Sequence, residues 1–374
     1  MTGAKQIRSV AVMGAGHGGY AAAADLTCRG FEVRLHARRE ESLEPIRANG
    51  GIDSHGIFEG RETPALLTTD IAEAVAGADL VMLVVPSVAH GWYAERLAGV
   101  LEEGTPVFLN PGHTGGGLHF RAEVRRAGHT SPLDICETVT LTYICRIEAP
   151  ARVGIYSYTR SLMFAALPGS ATGRLHAAIS PLFPEIRPAS SVLETGLANI
   201  NAVFHPPGML LNAGRIEATG GNFLFYREGV TDAVGRAAAA IDAERLAVVR
   251  SLGVPARPFL AMFHKAGLTT RGAMESGSIS RACRESAPNA TLKSPPSLDH
   301  RYVHEDVGYG LVPIAALGRL AGVETPTIDS HIALLSAATG IDYATEGLTL
   351  ERMGIAGLEP AALRRLVQEG EAAA

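Results

Sequence analysis

The stretch TGLANINAVFHPPGMLLNAGR sets polar side chains into an apolar helical pattern. Asn201 and His205 stand four residues apart and so share a helix face. Asn212 follows seven residues after His205, on about the same side if the helix passes Pro206 and Pro207. Leu197, Ile200, Val203, Phe204, Met209 and Leu210 surround them, and polar groups buried in such company cost free energy unless each finds a partner. The stripe is therefore either a structural hydrogen-bond network or the wall of a site. The Pro-Pro break and the asparagine one turn ahead of the histidine favour the site. A histidine there takes and returns protons near neutral pH. A second polar set, Arg301, His304, Glu305 and Asp306 in DHRYVHEDVGYGLVP, precedes a helix expected from about residue 311. Taken alone, it reads as a solvated, charged turn.

A different chemistry is written near the start. Residues 9–39, SVAVMGAGHGGYAAAADLTCRGFEVRLHARR, run from a strand-like segment through a GxGxxG pattern into an alanine-rich helix and a second strand. That order is the first βαβ unit of a dinucleotide-binding sheet. Gly14 permits the tight turn, Gly16 lets backbone approach a pyrophosphate, and Gly19 lets helix and strand pack closely. The helix begins near His17, so His17, Gly18 and Gly19 offer first-turn amides and the positive dipole end to phosphates.

The end of the second strand bears on which dinucleotide binds. An Asp or Glu there would hold ribose hydroxyls, but this chain has His36, Ala37, Arg38 and Arg39. No carboxylate repels a 2′-phosphate, and arginine suits paired hydrogen bonds to phosphate. The expectation is NADP(H) in preference to NAD(H), with Arg38 and Arg39 at the phosphate. Otherwise the two arginines simply start the next helix. The nicotinamide is expected beyond the strands that end in VVPS (Val85, Pro86) and NPGHTGGG (from Asn110). The second of these is a glycine-rich turn into a helix that also offers amides to a substrate carboxylate.

These residues need a scaffold, and the pattern supplies one. Strand-like runs SVAVMG, FEVRLH, LVMLVV, PVFLN and LDICE alternate with helical segments, which implies a parallel, doubly wound sheet. TYICRIE and RVGIYSY read as a hairpin which, with LMFAALP after it, extends that sheet. From about 190 the chain reads as helices, near 191–214, 232–253, 257–266, 311–321 and 326–339. Residues 268–300, rich in Ser, Gly and Pro, read as a long, partly irregular connection, and the end, EGEAAA, as frayed. The fold class is α/β: a Rossmann dinucleotide-binding domain over 1–190, then an all-helical substrate domain over 191–374. The active site is expected in the cleft between them.

Composition narrows the class. With 374 residues, 47% hydrophobic and 19% charged, the chain is a globular protein of about two domains. The longest apolar run, LVMLVVP, is too short to span a bilayer, and a strand-like run by residue 9 leaves no room for a signal peptide. A net charge of −5 without a basic stripe argues against nucleic acid. Cys28, Cys136, Cys145 and Cys283 lack metal-type spacing and read as free thiols of a cytoplasmic protein.

NAVFHPPGMLLNAGR, RYVHEDVGYGLVP, VAVMGAGHGGYAAAADL and NPGHTGG together resemble the opine dehydrogenase family (octopine, nopaline and carboxyethyl-norvaline dehydrogenases). The resemblance runs from about residue 8 to about residue 355. It implies a catalytic pair of His205 and Asp306, with Arg301 holding a substrate carboxylate. It also implies reductive joining of an amino acid to a 2-oxo acid by hydride addition to the imine, and a homodimer. Asn201 would orient the substrate or the histidine. Some relatives carry Asp where this chain has Ala37, a departure that favours NADP(H). A ketopantoate-type 2-oxo acid reductase is a weaker alternative, because such enzymes place a lysine on the first helix of the second domain and residues 190–215 contain none. A non-catalytic NADPH-binding regulator is a third reading.

Overall fold

The computed structural model describes residues 6–255 and 257–370. The chain divides into two compact units: one runs to Gly196 and resumes at Arg365, and the other is Leu197–Arg364. The sequence sets the boundary at 190 and gives 191–374 to the second domain. In the structure the helix Val192–Leu197 lies almost wholly in the first unit, and the chain from Arg365 returns to it. Of the end read as frayed, residues 371–374 lie outside the described residues.

The first unit holds the strands β1 (Ser9–Met13), β2 (Glu32–His36), β3 (Ile52–Gly56), β4 (Gly60–Glu62), β5 (Leu66–Thr68), β6 (Leu80–Leu83), β7 (Val107–Leu109), β8 (Ile135–Thr138), β9 (Tyr143–Ala149), β10 (Arg152–Tyr158), β11 (Leu162–Leu167) and β12 (Ile186–Pro188). Its main sheet is ordered β12-β11-β8-β7-β6-β1-β2-β5. From β5 to β8 all neighbours are parallel. Counted along the chain, those six strands follow the doubly wound order 3-2-1-4-5-6. Every residue of β1 and β6 is buried, as a sheet covered on both faces requires.

Register places the functional loops. Met13 stands opposite both His36 and Leu83, and Leu83 opposite Leu109. The four strands therefore end level, and Gly14, Ala37, Val84 and Asn110 leave the sheet along one edge. That edge includes the β1/β6 switch point, where doubly wound sheets bind ligands.

The hairpin does not extend the main sheet. β9 and β10 pair with β3 and β4 in a separate four-stranded sheet, β4-β3-β10-β9. Burial alternates along β9, with Ile144, Arg146 and Glu148 more open than Tyr143, so the strand suits a sheet with one solvated face. β11 does join the main sheet, antiparallel to β8. The helix His17–Cys28 packs against β2 and against the second sheet, and its alanines Ala21, Ala22, Ala23 and Ala24 are all buried. Asp25 on this helix is buried and accepts hydrogen bonds from Tyr143 Oη at 2.8 Å and Tyr158 Oη at 2.7 Å, which ties the helix to the hairpin.

The second unit is helical. The helices Asp232–Ser251, Phe259–Lys265 and Pro326–Thr339 fall where periodicity puts them. The single helix expected over 191–214 is three: Val192–Leu197, Asn201–Leu210 and Ala213–Thr219. The break does not come at the prolines. Pro206 and Pro207 lie inside Asn201–Leu210, which is buried over most of its length, so packing holds a helix that lacks two amides. Residues 268–300 are partly irregular, as read, with short helices set into the connection. Thr270 and Ser278 cap the short helices Arg271–Glu275 and Ile279–Arg284 by accepting from the amides of Ala273 and Arg281. Part of the serine content read as loop is capping.

Candidate active site

The glycine loop has the form a dinucleotide needs. Gly14 has φ +114°, and a Cβ on Gly19 would stand 1.7 Å from the Gly14 carbonyl oxygen, so the first turn of the helix lies directly on the loop. A Cβ on Gly18 would meet Leu141 and Val84 at 2.8 Å, whereas one on Gly16 would meet nothing within 4 Å. Gly16 caps the helix His17–Cys28 at its N-terminal end. Open space over that residue, beside amides with no intrahelical acceptor, fits a pyrophosphate. His17 does something further: its Nδ1 accepts from the Ile147 amide at 2.9 Å, anchoring β9 to the start of the helix. Nδ1 of the imidazole is thus a structural tie.

At the end of β2, His36 is fully buried, contacts Tyr93 Oη through Nδ1 at 3.1 Å, and is pushed down to about 4 by burial. It is neutral and structural. Ala37 is buried, while Arg38 and Arg39 are exposed. The Arg38 guanidinium lies 5.7 Å from the centre of the Trp92 ring, and Arg96 lies over the same ring at 4.1 Å. Trp92, the one tryptophan of the chain, was not singled out by the sequence, which carries no signal linking residues 38 and 92.

At the neighbouring strand ends, the Val85 side chain packs where a Gly14 Cβ would be, 2.5 Å away, and Pro86 is exposed. Asn110 is fully buried, and its side chain is a clasp. Nδ2 donates to Thr142 Oγ1 at 2.8 Å, and Oδ1 accepts from the Thr142 amide at 3.0 Å and Thr138 Oγ1 at 3.2 Å. The expectation that Asn110 contacts cofactor is corrected to this extent: its amide group holds the 138–142 turn. The buried Glu137 was also missed. Its carboxyl accepts from the Gly117 amide at 2.9 Å and contacts Thr195 Oγ1, and burial raises it to about 7.

In the second unit the two polar sets of the sequence meet. His205 Nδ1 lies 2.7 Å from Asp306 Oδ2, both groups buried, across 101 residues of chain. His205 is on Asn201–Leu210, and Asp306 ends the helix Arg301–Asp306, which packs against it. A π-turn at Val307–Leu311 follows Asp306 directly, a distortion common at functional sites. The carboxylate has only acceptors to offer, so Nδ1 carries the hydrogen and Nε2 of the neutral ring accepts. Burial lowers the His205 pKa, and the Asp306 charge opposes that shift. Nε2 is 3.1 Å from Tyr226 Oη, Tyr226 Oη is 3.3 Å from Tyr302 Oη, and the Tyr302 ring stacks on the imidazole at 3.6 Å and 13°. Neither tyrosine was a candidate. Tyr302 stood in plain view inside the charged turn, but nothing in its spacing ties it to His205.

Arg301 pairs with the buried Glu305 at 2.9 Å one turn along, and its side chain remains 57% exposed. Its charge acts to lower the His205 pKa, so it lies within electrostatic reach of the pair. Asn201, half-buried, begins its helix with its amide donating to Asn199 Oδ1 at 3.2 Å. Asn212 is not part of a site: its Nδ2 donates to the carbonyls of Gly208 at 2.8 Å and Gly229 at 3.0 Å.

Comparison with known proteins bears on the family and the fold of both parts of the chain. Residues 9–112 match the family described as NAD-dependent glycerol-3-phosphate dehydrogenase N-terminus, and residues 188–339 match the NAD/NADP octopine/nopaline dehydrogenase, alpha-helical domain. An opine dehydrogenase of Arthrobacter sp. (strain 1C) is 36% identical over 362 residues, 96% of this chain and 99% of that protein. The fold is shared with an octopine dehydrogenase solved with NADH and agmatine (TM-score 0.78, 20% identity, 98% of this chain and 99% of that one). It is also shared with a yersinopine dehydrogenase solved with NADP+ (TM-score 0.72, 17% identity, 97% and 98%). Among the described residues no helix is long and apolar enough to cross a membrane. The chain therefore belongs to the opine dehydrogenase family, NAD(P)-dependent oxidoreductases that act on CH–NH groups.

Proposed function

We propose that this chain joins an amino acid to a 2-oxo acid by NADP(H)-dependent reductive condensation, and runs the reverse reaction, with His205 and Asp306 as its catalytic pair. The 2.7 Å contact between two buried groups carries the proposal, since a buried imidazole held by a carboxylate keeps one nitrogen fixed for proton exchange. The bound nicotinamide supplies the hydride. The substrate ammonium must lose a proton before its nitrogen attacks the carbonyl, and the neutral Nε2 side of His205 takes it. The resulting imidazolium returns a proton as the carbinolamine hydroxyl leaves as water. Asp306 fixes the tautomer and steadies the cation in between. Arg301, exposed beyond its pairing with Glu305, offers guanidinium hydrogen bonds to a substrate carboxylate, and Asn201 orients what is bound.

Gly14, Gly16, Gly18 and Gly19 with the first-turn amides hold the pyrophosphate, Val85 and Pro86 flank the nicotinamide, and Arg38 and Arg39 take the 2′-phosphate. The absence of a carboxylate at residues 36–39 supports NADP(H) over NAD(H). A cytoplasmic homodimer goes with this assignment. NADPH oxidation over a matrix of amino acids and 2-oxo acids tests it, pyruvate and 2-oxoglutarate first. Activity is expected only for pairs, with NADH the poorer donor. Consumption with a 2-oxo acid alone, unaffected by added amino acid, refutes it.

A further inference from the structure

The catalytic nitrogen of His205 does not open directly onto solvent. The ring is 5% exposed, and Nε2 meets the hydroxyl of Tyr226, itself 5% exposed, which meets the hydroxyl of the half-buried Tyr302. The line Asp306 Oδ2, His205 Nδ1, His205 Nε2, Tyr226 Oη, Tyr302 Oη runs through contacts of 2.7, 3.1 and 3.3 Å towards the more exposed group. The rings are clamped. Tyr302 stacks on His205, and Tyr226 packs against Phe204 at 5.7 Å and Phe225 at 5.3 Å between centroids. Each hydroxyl has one hydrogen, so the directions are correlated. With His205 neutral, Tyr302 donates to Tyr226 and Tyr226 donates to Nε2. With His205 protonated, Nε2–H donates to Tyr226, Tyr226 donates to Tyr302, and the Tyr302 hydrogen turns outward.

We propose that Tyr226 and Tyr302 form a two-hydroxyl proton relay that carries the proton of the condensation between His205 Nε2 and the substrate. It rests on the assignment of His205 as the catalytic base. In the acid direction Tyr302 O–H breaks and its proton goes to the substrate. Tyr226 then passes its proton to Tyr302, and Nε2 passes its own to Tyr226. The imidazolium becomes neutral, both phenols end neutral, and no electrons change hands. The base direction is the same sequence reversed. The buried pair thus exchanges protons while the imidazole keeps its place under Tyr302.

Tyr226→Phe and Tyr302→Phe each keep a ring and remove one link. On the full-length enzyme, kcat/KM for the 2-oxo acid is measured with NADPH in mixtures of light and heavy water, beside His205→Ala, with thermal midpoints checked for each variant. Each Phe variant is expected to fall about 100-fold, at the lower end of the range of lost acid–base catalysis. The double variant should be no worse than the slower single one, because both cut one path. The wild-type proton inventory should curve, and that of either Phe variant should be linear. If Tyr226→Phe fails to fold, Tyr302→Phe breaks the same path at its exposed end and decides alone. Full activity or an unchanged curved inventory in Tyr302→Phe overturns the relay, and if His205→Ala is still inactive the base assignment stands. Full activity of His205→Ala overturns both.

Discussion

Gly310 meets Ala202 so closely that a Cβ on the glycine would stand 2.7 Å from the alanine Cβ. Four residues before Gly310 is Asp306, and three after Ala202 is His205, so the two helical segments run antiparallel and this approach sets the reach of the catalytic pair. The glycine belongs to the π-turn that follows Asp306.

Gly310→Ala should therefore separate the pair. A loss of about 1–3 kcal/mol in stability is expected for overpacking, and turnover should fall at least about tenfold as a reacting geometry is lost. NADPH binding, followed by fluorescence, should not change. Ala202→Gly in the same chain should restore much of both losses, because it removes the opposing methyl; no rescue would show that this contact does not set the pair.

Asp306→Asn should keep the fold and lose about 10²–10⁴ in kcat, the range for a misplaced general base. The sign of its pH effect follows from the charges. Burial already holds His205 below its ordinary value, and Asp306 pulls it up. With the base required neutral, the acid limb of kcat/KM lies below the ordinary histidine pKa in the wild type, and the Asn variant moves it lower still. A limb that moves up, or global unfolding of the variant, contradicts the assigned role.

How much of this was legible in the sequence follows from what each residue does. Gly14, Gly16 and Gly19 announce themselves because the requirement is local, a turn and a close helix within six residues. His205 was marked by polarity in an apolar helix, but its link to Asp306 came from family resemblance, since 101 residues of intervening chain leave no spacing to read. Asn212 shows the limit of helical periodicity: it falls between two helices, not on the face of one, and bonds the carbonyls of Gly208 and Gly229. The strands β3, β4 and β5 escaped notice because they are short and partly polar, and the pairing of β3 with the hairpin strand β10 and of β5 with β2 is a tertiary fact.

Arg38→Ala and Arg39→Ala separate the two cofactors. Losing a charged hydrogen bond to phosphate costs about 1.5–3 kcal/mol, so KM for NADPH should rise about 10- to 100-fold in the responsible variant, with NADH little changed. Trp92, beneath the Arg38 guanidinium, gives an independent signal. Its fluorescence should respond to adenosine 2′,5′-bisphosphate in the wild type and not in Arg38→Ala. Equal loss with both cofactors would contradict a 2′-phosphate contact.

Glu137 predicts a pH dependence of stability. Its carboxyl titrates near 7 when folded, against an ordinary value near 4.5. The folded state thus holds the proton more tightly, and the stability this confers is present below the ordinary value and lost as pH rises through about 7. The difference is on the order of 3 kcal/mol. Protonated, the group donates to Thr195 Oγ1, which frees the threonine hydrogen for the Val192 carbonyl at 3.2 Å. Glu137→Gln reproduces that pattern without titrating. Its thermal midpoint should match the wild type near pH 5 and exceed it near pH 8, and parallel midpoints across that range would refute the burial argument.

The central claim is tested most directly by the mass of what the enzyme makes. NADPH, one amino acid and one 2-oxo acid are incubated with wild type and with His205→Ala, and the products are weighed by mass spectrometry. The pair mechanism predicts a secondary amine whose mass is that of the two substrates less one oxygen atom, formed by the wild type about 10²–10⁴ times faster than by the variant. A 2-hydroxy acid formed without the amino acid, or the same amine made equally fast by His205→Ala, would contradict it.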